Sequence, residues 1–504
     1  MSTTPSDPAV HAAPAPAERR LHPWSWLFVL LQQLRQFIVP LVAAFFFGGD
    51  RNELWPLIGV GVLAITSALQ YLTYRYIVAG DRITIRSGWL HRQRREIPYA
   101  RIHNVSVEQS LLHRFFGVAE LRLESAGGKK PEAQMRVLRM EDALALERLI
   151  RHRGAVQPVR EDAEAPAPDL LLEMPLGEVL RLGLVSNRGM LLLLAAFAGA
   201  QQISPRLVAN LFEQWSATVF GWAGEREFDA MQYAMAAVTF VVAVFAFMRL
   251  LSIVVAVLQY TGFRLTEEHQ RLTVDRGLLG RVRSSVSRRR LQAWTLQEGV
   301  MHRVLKRRSL HVDTAGVSQG SQGQQRRSLR ELAPIATPEQ CEALIQHLLP
   351  PDAAWSQLQW NAPHPLMALR VFAGELLFPL VATAALTWYF GPVGLWMLLW
   401  LPWSAFVARR HARFAGWAIN GRIVVVRSGW VSRRWRFAEL DKLQALRLSQ
   451  GPLDRRWGMA TLWLDTAGAS PSGAPLAIRY LREADARALL DALARTLARR
   501  KLRW

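Results

Sequence analysis

One pattern occurs three times in this chain with constant internal spacing. A turn glycine is followed 39 positions later by a second glycine, from Gly88 to Gly127, from Gly277 to Gly316 and from Gly429 to Gly468. Between these anchors similar residues return at equal offsets: Arg101, Arg290 and Lys442; Leu112, Met301 and Leu453; Arg114, Arg303 and Arg455; Glu124, Asp313 and Asp465. Self-similarity of this kind indicates one folded module used repeatedly.

Long apolar stretches precede each module. A membrane span needs roughly 17–25 largely apolar residues. Candidate stretches pair up as 26–48 with 55–74, 189–203 with 232–248, and 371–390 with 392–408. We therefore predict six spans in three hairpins, one before each module. The N-terminal stretch is polar and rich in Ala and Pro, which is not typical of a cleavable signal.

The distribution of charge predicts the orientation. Residues 75–153 hold 16 Lys and Arg against 9 Asp and Glu, 260–349 hold 15 against 8, and 412–504 hold 18 against 7. The loops within the predicted hairpins lack this basic excess. Because basic segments remain on the cytoplasmic side, we expect both termini and all three modules in the cytoplasm of a bacterium, below its plasma (inner) membrane. The same charge also favours general contact with anionic lipid headgroups.

Composition narrows the classes of function. The formal net charge is +22, but 51% hydrophobic residues and 19 Trp argue against a free nucleic-acid binder. The single cysteine, Cys341, excludes an intrachain disulfide. The sequence contains no phosphate-binding loop and no zinc-protease motif, and His103 and His113 lack partners at metal spacing. We expect no enzyme activity, no cofactor and no metal.

Within each module the pattern is that of β-strands followed by one helix. Alternating runs such as "NVSVEQ", "AELRLES" and "ATLWLDT" predict strands, and Gly, Asn or Asp between short runs predicts hairpin turns. Amphipathic helices are predicted at 140–152, 337–349 and 482–500, the second with Thr337 as N-cap and Pro338 in its first turn. The pattern favours a small barrel or sandwich closed by its C-terminal helix.

The stretch "IPYARIHNVSVEQSLLHRFFGVAELRLESAG" resembles the signature of bacterial pleckstrin-homology (PH)-like domains in the YdbS/YdbT family of membrane proteins. The arrangement of three hairpins and three modules is similar to YdbT-type members and covers nearly all of the chain past residue 20. The resemblance implies an α+β membrane protein with three repeats of a transmembrane helical hairpin and a PH-like β-barrel or sandwich, each with a capping helix, and no known enzymatic activity. Gln109 becomes Glu298 and Gly117 becomes Lys306 in module 2, which argues against one ligand shared by all modules.

These observations give predicted domain boundaries. They are a disordered tail at 1–22, hairpin 1 at 23–74, module 1 at 75–153, a linker at 154–172, hairpin 2 at 173–259, module 2 at 260–349, a linker at 350–364, hairpin 3 at 365–410 and module 3 at 411–504.

Two sets of repeated residues are candidates for structural roles. Gly88, Gly277 and Gly429 are expected to supply positive φ in a turn. Arg114, Arg303 and Arg455 are expected to pair with the acids ten residues on, Glu124, Asp313 and Asp465. Binding of a headgroup phosphate is the alternative for these arginines.

A basic rim follows each anchor glycine and is the candidate contact for lipid or partner. The rim consists of Arg92, Arg94 and Arg95 in module 1, Arg281 and Arg283 in module 2, and Arg433, Arg434 and Arg436 in module 3. A solvated face is an equal alternative. Charges inside the apolar stretches are Arg35, which can reach the interface, Arg249, expected at an interface, and Arg370 with Glu375, expected as local neighbours.

The pattern favours a non-enzymatic membrane scaffold whose modules present strand edges and basic rims for protein assembly and anionic-lipid contact. Expected partners are membrane lipids and a homo- or hetero-oligomer, including a single-module YdbS-like protein, with no nucleic acid. Envelope stress or membrane integrity is the expected setting. A transporter or lipid-handling membrane protein is the alternative, and Arg35, Arg249 and Glu375 are its candidate cavity residues.

Overall fold

The computed structural model describes most of the chain outside its N-terminus and several connecting segments. The described residues are 18–34, 54–79, 81–89, 91–125, 133–153, 168–203, 229–314, 331–350, 355–466 and 475–499, with Ala353 and isolated residues in 206–217. They form two compact units, Met1–Ala165 with Phe197–Gly221, and Pro166–Ala196 with Trp222–Trp504. Module 1 lies in the first unit, and modules 2 and 3 lie in the second.

Module 1 has two antiparallel sheets and a closing helix. The first sheet is formed in order by β1 (Glu18–Arg20), β2 (Arg75–Val78), β3 (Arg82–Ser87) and β4 (Gln93–Pro98). The second contains β5 (Ile102–Gln109), β6 (Val118–Ser125) and β7 (Ala133–Arg139), and the helices are α1 (Ser25–Leu34), α2 (Leu54–Thr73), α3 (Leu111–Phe115) and α4 (Met140–Arg153). Alternate apolar residues such as Ile83, Leu121 and Met135 form one core with Ala143 of α4, all fully buried.

Module 2 repeats this plan within the second unit. Its strands are β8 (Asp169–Glu173), β9 (Arg264–Glu268), β10 (Arg271–Arg276) and β11 (Arg281–Ser287), followed by β12 (Leu291–Glu298), β13 (Arg308–Thr314) and β14 (Glu331–Ala336). Its helices are α5 (Leu176–Val185), α6 (Arg188–Ile203), α7 (Ala230–Tyr260), α8 (Val300–Val304) and α9 (Pro338–Leu348). The core joins both sets of strands to Cys341 and Ile345 of α9.

Module 3 completes the second unit. Its strands are β15 (Gly416–Asn420), β16 (Ile423–Ser428), β17 (Arg433–Glu439), β18 (Leu443–Ser449), β19 (Met459–Thr466) and β20 (Ala477–Arg482). Its helices are α10 (Met367–Glu375), α11 (Leu377–Phe390), α12 (Trp400–Phe414), α13 (Pro452–Arg456) and α14 (Glu483–Ala498), with a 3-10 segment at Gly391–Leu399. Val424, Leu462 and Ile478 bury their side chains against Ala486 of α14.

The predicted strands and capping helices are confirmed in all three modules. The runs at 104–109, 119–125 and 460–466 lie in β5, β6 and β19, and the three predicted helices are α4, α9 and α14. At the start of α9, Thr337 Oγ1 accepts from Gln340 N at 3.2 Å and Gln340 Oε1 accepts from Thr337 N at 3.1 Å. This reciprocal cap satisfies two backbone donors that a helix N-terminus would otherwise leave unpaired.

Segments predicted as tail or linker pair with the first strand that follows the helices of each module. Residues Glu18–Arg20 form β1 and pair with β2, and Asp169–Glu173 form β8 and pair with β9. Asn361 makes a single antiparallel bridge to Trp417 of β15. Without these segments, β2, β9 and β15 would each have an edge whose N–H and C=O groups lack hydrogen-bond partners in the sheet. In each module, residues that precede the helices are therefore hydrogen-bonded to a strand that follows the helices.

Apolar helices long enough to cross a membrane are present in the described chain. They are Ala234–Tyr260 and the stretch Met367–Phe414, and the bent pair Leu176–Val185 with Arg188–Gln202 would add a third span. Shorter apolar helices are Ser25–Leu34 and Ile58–Thr73. The arrangement of six spans in three hairpins stays a prediction, because much of hairpin 1 and of the segment between α6 and α7 lies outside the described residues.

The stretch Met367–Phe414 folds back on itself. α10 packs on α12, and α11 packs on the 3-10 segment that begins at Gly391, whose φ is 68°. Ser404 Oγ of α12 donates to Glu375 Oε2 at 2.8 Å. Arg370 was expected beside Glu375, but its Nε donates instead to Asp454 Oδ1 in module 3 at 2.6 Å. Arg370 and Glu375 are five positions apart in α10, whereas side chains that meet on one helix are three or four positions apart.

Arg249 stabilises the bend between α5 and α6, where these helices meet at 57°. Its Nη1 donates to Leu184 O at 3.0 Å, Ser186 O at 3.1 Å and Asn187 Oδ1 at 3.2 Å. Carbonyls at a helix break in apolar surroundings need a donor from elsewhere in the protein. Arg249 supplies it. Arg35 lies outside the described residues.

Candidate functional site

Modules 2 and 3 share one continuous sheet. β12 of module 2 pairs antiparallel with β17 of module 3, with Trp294 opposite Phe437, Leu296 opposite Trp435 and Glu298 opposite Arg433. The result is a six-stranded sheet in the order β14-β13-β12-β17-β16-β15. The backbone N–H and C=O groups along the edge of β12 are therefore hydrogen-bonded to those along the edge of β17. Strand edges of these modules act as surfaces that bind another module.

Apolar side chains form the centre of this junction. The rings of Trp294 and Phe437 stack in parallel with centroids 5.9 Å apart, and Trp355 lies over Phe437 at 4.6 Å. Trp294, Leu296 and Phe437 are at most 1% exposed. Burying large aromatic side chains is the main source of favourable free energy at protein interfaces.

A buried ion pair accompanies the strand pairing. Arg436 Nη2 donates to Asp313 Oδ2 at 2.7 Å, and Arg436 Nη1 donates to Thr295 Oγ1 at 3.1 Å. The side chains of Arg436 and Asp313 are 8% and 13% exposed. Charges this deeply buried are tolerated when they are paired and hydrogen-bonded. The pair fixes the register of module 3 against module 2.

The residues of the predicted basic rim lie in equivalent strands but in different environments. In module 3, Arg436 and Arg434 belong to the junction, and Arg433 Nη1 lies 3.8 Å from Glu298 Oε1. In module 2, Arg283 Nε lies 3.7 Å from Asp275 Oδ1, and Arg281 is exposed. In module 1, Arg92, Arg94 and Arg95 are all exposed, and Arg94 pairs with Glu96 at 2.7 Å.

The three anchor glycines make tight turns. Gly88, Gly277 and Gly429 have φ of 105°, 110° and 87°. A Cβ on any of them would lie 1.9–2.0 Å from a carbonyl oxygen, that of His91, Gly280 or Ser432. A side chain is therefore excluded by both conformation and space. The turns lead directly into β4, β11 and β17 and so set the start of each module edge.

The predicted pairing of Arg303 with Asp313 is wrong. Asp313 binds Arg436, whereas Arg303 Nη2 donates to Val431 O at 2.9 Å. Arg455 is exposed and forms no ion pair with Asp465 in the part of the chain that the structure describes. The physical reason is the shared sheet, which places an arginine from the next module nearer to Asp313 than the short helix α8 does. The pair of Arg114 with Glu124 cannot be placed, since the side chain of Glu124 lies outside the described residues.

A buried charge cluster joins the apolar helices to module 2. Glu331 of β14 lies 2.8 Å from Arg188 of α6 and 3.1 Å from Arg276 of β10, and Tyr260 of α7 also donates to it. Burial alone would raise the pKa of Glu331, but the charges of Arg188 and Arg276 outweigh it and hold that pKa below its usual value. Sequence reasoning missed this cluster, which no local motif marks.

Two further ion pairs bind helices to the short helical turns of modules 2 and 3. Arg307, just after α8, donates to Glu178 of α5 through Nε at 2.9 Å and Nη2 at 2.8 Å. The pair of Arg370 and Asp454 makes the corresponding connection in module 3. The apolar helices and the modules are thus joined by specific charged contacts.

An open basic cleft of about 360 Å³ lies beside these contacts in module 2. Its basic lining residues are Arg303, Lys306, Arg307 and Arg308, and its acidic ones are Glu298, which lies 3.2 Å from Arg308, and Glu339. Among the described residues no group of three or more His, Cys, Asp or Glu could hold a metal ion. Burial raises the pKa of the Cys341 thiol to about 12, which is unlike a reactive cysteine.

Comparison with known proteins gives two matches. Residues 28–154, 206–349 and 370–497 each match a family model described as bacterial PH domain. The chain is also 22% identical over 490 residues to the protein named UPF0699 transmembrane protein YdbT of Bacillus subtilis (strain 168), covering 94% of this chain and 97% of that protein. No solved structure matches.

Proposed function

Because the chain belongs to the bacterial PH-domain family, with three matched repeats, we propose that it is a non-enzymatic scaffold of the bacterial plasma membrane. Its apolar helices hold the modules at the bilayer, and its modules assemble with protein through their sheet edges. The observation that carries this proposal is the continuous sheet formed by β12 and β17.

Continuity of the sheet supports assembly rather than independent modules on linkers. Two PH-like modules that met only through tethers would each keep a solvated edge. Here the edges are joined by backbone bonds, stacked aromatic rings and the Arg436–Asp313 pair. Strand addition of this type is a common mode of protein recognition. The pairing of β12 with β17 is therefore an example of this recognition mode within the chain itself.

Contacts of the helices favour a scaffold over a transporter. A transport cavity requires polar groups that face solvent or substrate. Arg249 instead binds the oxygens at a helix bend, and Glu375 accepts from Ser404. Both charges therefore have structural partners, and the charges at Glu178, Glu331 and Asp454 connect helices to modules.

Anionic lipid is the second expected contact, since Arg303 and Lys306 line a cleft next to Arg307 and Arg308, whose own charges are paired with Glu178, Glu298 and Glu342. Surface Lys or Arg residues near an anionic leaflet contribute about 1 kcal/mol each. The basic excess in all three modules supports a cytoplasmic orientation of the modules and of both termini. Reporter fusions at residues 150, 345 and 504 should be active only in the cytoplasm, and periplasmic activity at these sites would invert the orientation.

The scaffold is tested by extracting the full chain from its native membranes in mild detergent and measuring the mass of the particle. We expect a particle heavier than one chain, with cross-links between modules and protein. A strictly monomeric particle that binds phosphatidylglycerol vesicles far better than phosphatidylcholine vesicles would contradict the scaffold and favour lipid sensing.

A further inference from the structure

The repeat predicts where a further junction of the β12–β17 type can form. Residues of module 3 follow their module 2 counterparts by 152 positions, the separation of Gly277 and Gly429. They follow their module 1 counterparts by 341 positions, the separation of Gly88 and Gly429. By this correspondence β18 is the module 3 copy of β12, and β4 is the module 1 copy of β17.

Both of these copies lie at sheet edges. In the described residues β18 is the outer strand of the sheet β18-β19-β20, and β4 is the outer strand of the sheet β1-β2-β3-β4. Their exposure differs from that of their counterparts. Arg95 and Glu96 are exposed, whereas Arg436 and Phe437 at the same positions are 6% and 0% exposed.

The edge of β18 shows the same contrast. Leu446 and Leu448 are half-buried, whereas Trp294 and Leu296 at the same positions are each 1% exposed. Two leucines on an open strand edge are a hazard that soluble proteins usually cover. The chain thus presents both halves of a junction like the one between modules 2 and 3.

The two residues that form the ion pair of the existing junction also have charged counterparts at or next to these edges. Asp465 stands at the position of Asp313, and Arg95 stands at the position of Arg436. Asp465 is exposed on β19 next to the edge strand. Strand pairing in the register of β12 and β17 would therefore bring the carboxylate of Asp465 to the guanidinium of Arg95.

We propose that β18 of one copy of this chain pairs antiparallel with β4 of a second copy, with Asp465 bonded to Arg95 across the junction. This inference rests on the proposed scaffold and names its partner as the chain itself. The contact joins different surfaces, so it repeats head to tail and produces a ring or a row. Anchoring of each copy in the same membrane restricts the copies to one plane.

The register of this junction follows from that of β12 and β17. It places Leu446 opposite Glu96, Arg447 opposite Arg95, Leu448 opposite Arg94 and Ser449 opposite Gln93. Arg447 stands at the position of Thr295, which accepts a hydrogen bond from Arg436 in the existing junction. Like charges directly opposite each other weaken strand pairing. The R447T variant should therefore associate more tightly than the natural chain.

Cysteine cross-linking tests the register in the full chain. Chains with S449C and chains with Q93C, carrying different tags and reconstituted together in phosphatidylglycerol and phosphatidylethanolamine vesicles, should form a disulfide-linked dimer. E18C, on the opposite edge of the β4 sheet, is the matched control for Q93C and should lose this product at least about tenfold. Cys341 is buried and serves as the unreactive background.

Charge variants test the ion pair. D465R should weaken cross-linking by roughly tenfold or more, and R95D in the second chain should restore it. R447T should raise it. Unchanged cross-linking in D465R, or a disulfide that forms within one chain carrying both cysteines, would overturn the proposal. An assembly that persists without the S449C–Q93C product would overturn this inference and leave the scaffold intact, whereas a monomer would contradict both.

Discussion

Glu331 on the last strand of module 2 lies 2.8 Å from Arg188 at the start of the apolar helix α6. Arg276 lies 3.1 Å from the same carboxylate, and both partners of Glu331 come from distant parts of the chain. An isolated carboxylate at this depth would be costly, but two guanidinium groups and a tyrosine hydroxyl compensate its charge. This cluster fixes how module 2 sits on its helices.

E331Q should therefore destabilise the chain strongly. It leaves Arg188 and Arg276 without a buried counter-charge, and breaking a buried pair costs about 3–5 kcal/mol. Thermal melting of the full chain in detergent measures the effect. E342Q removes a carboxylate whose side chain is 53% exposed and should shift the melting temperature little. Equal shifts for the two variants would show that the cluster contributes no special stability.

Stability should fall as the pH is lowered from 7 towards 5. Burial lowers the pKa of His311 below its ordinary value, so its neutral form is preferred in the folded state. The unfolded chain then binds the proton more readily below about pH 6.5, and stability present above that pH is lost. H311Q should make the melting temperature fall less steeply between pH 7 and 5, while His113 and His302, whose pKa values burial also lowers, keep part of the slope. An unchanged slope would exclude His311 as the cause.

The pair of Asp313 and Arg436 should hold modules 2 and 3 together. D313A leaves the Arg436 guanidinium buried in the shared sheet and should cost about 3 kcal/mol or more. Limited proteolysis between the modules and thermal melting both report this loss. D465A changes the equivalent exposed residue of module 3 and is the matched control, expected to leave the melting of dilute monomer unchanged.

The turn at Gly429 should not accept a side chain. Its φ is 87°, and a Cβ there would lie 2.0 Å from Ser432 O. G429A should lower the free energy of unfolding by about 1–3 kcal/mol. Gly458 also has positive φ, 63°, but nothing lies near its Cβ position, so G458N should be tolerated because Asn adopts this conformation. Denaturant titration of the full chain compares the two.

R249M should weaken the bent helix pair α5 and α6. The carbonyls of Leu184 and Ser186 would lose their donor in apolar surroundings, at about 1–3 kcal/mol for an unsatisfied group. Faster hydrogen exchange at the bend measures the effect. R264M removes an arginine whose side chain is 61% exposed and should leave exchange at the bend as in the natural chain.

Local features of this fold could be predicted from the sequence, and long-range ones could not. The anchor glycines, the alternating strands and the cap at Thr337 depend on neighbours within a few residues, and the family and membrane character were confirmed. The partner of Asp313 was predicted wrongly because Arg436 lies 123 positions away in another module. Arg188 and Glu331 are 143 positions apart, a separation that no periodicity in one sequence can reveal.

The outer strands β1 and β8, with the bridge at Asn361, have a consequence for how such a chain arose and how it is made. Each begins before a helical segment and is bonded to the first strand after it. The unit that was duplicated therefore started ahead of the helices rather than at the module. During synthesis the ribosome releases this outer segment first, so its partner strand becomes available only after the helices between them have been made. The strands β2, β9 and β15 therefore lie next to residues made well before them, and the edge of each module is completed by the earliest part of its repeat.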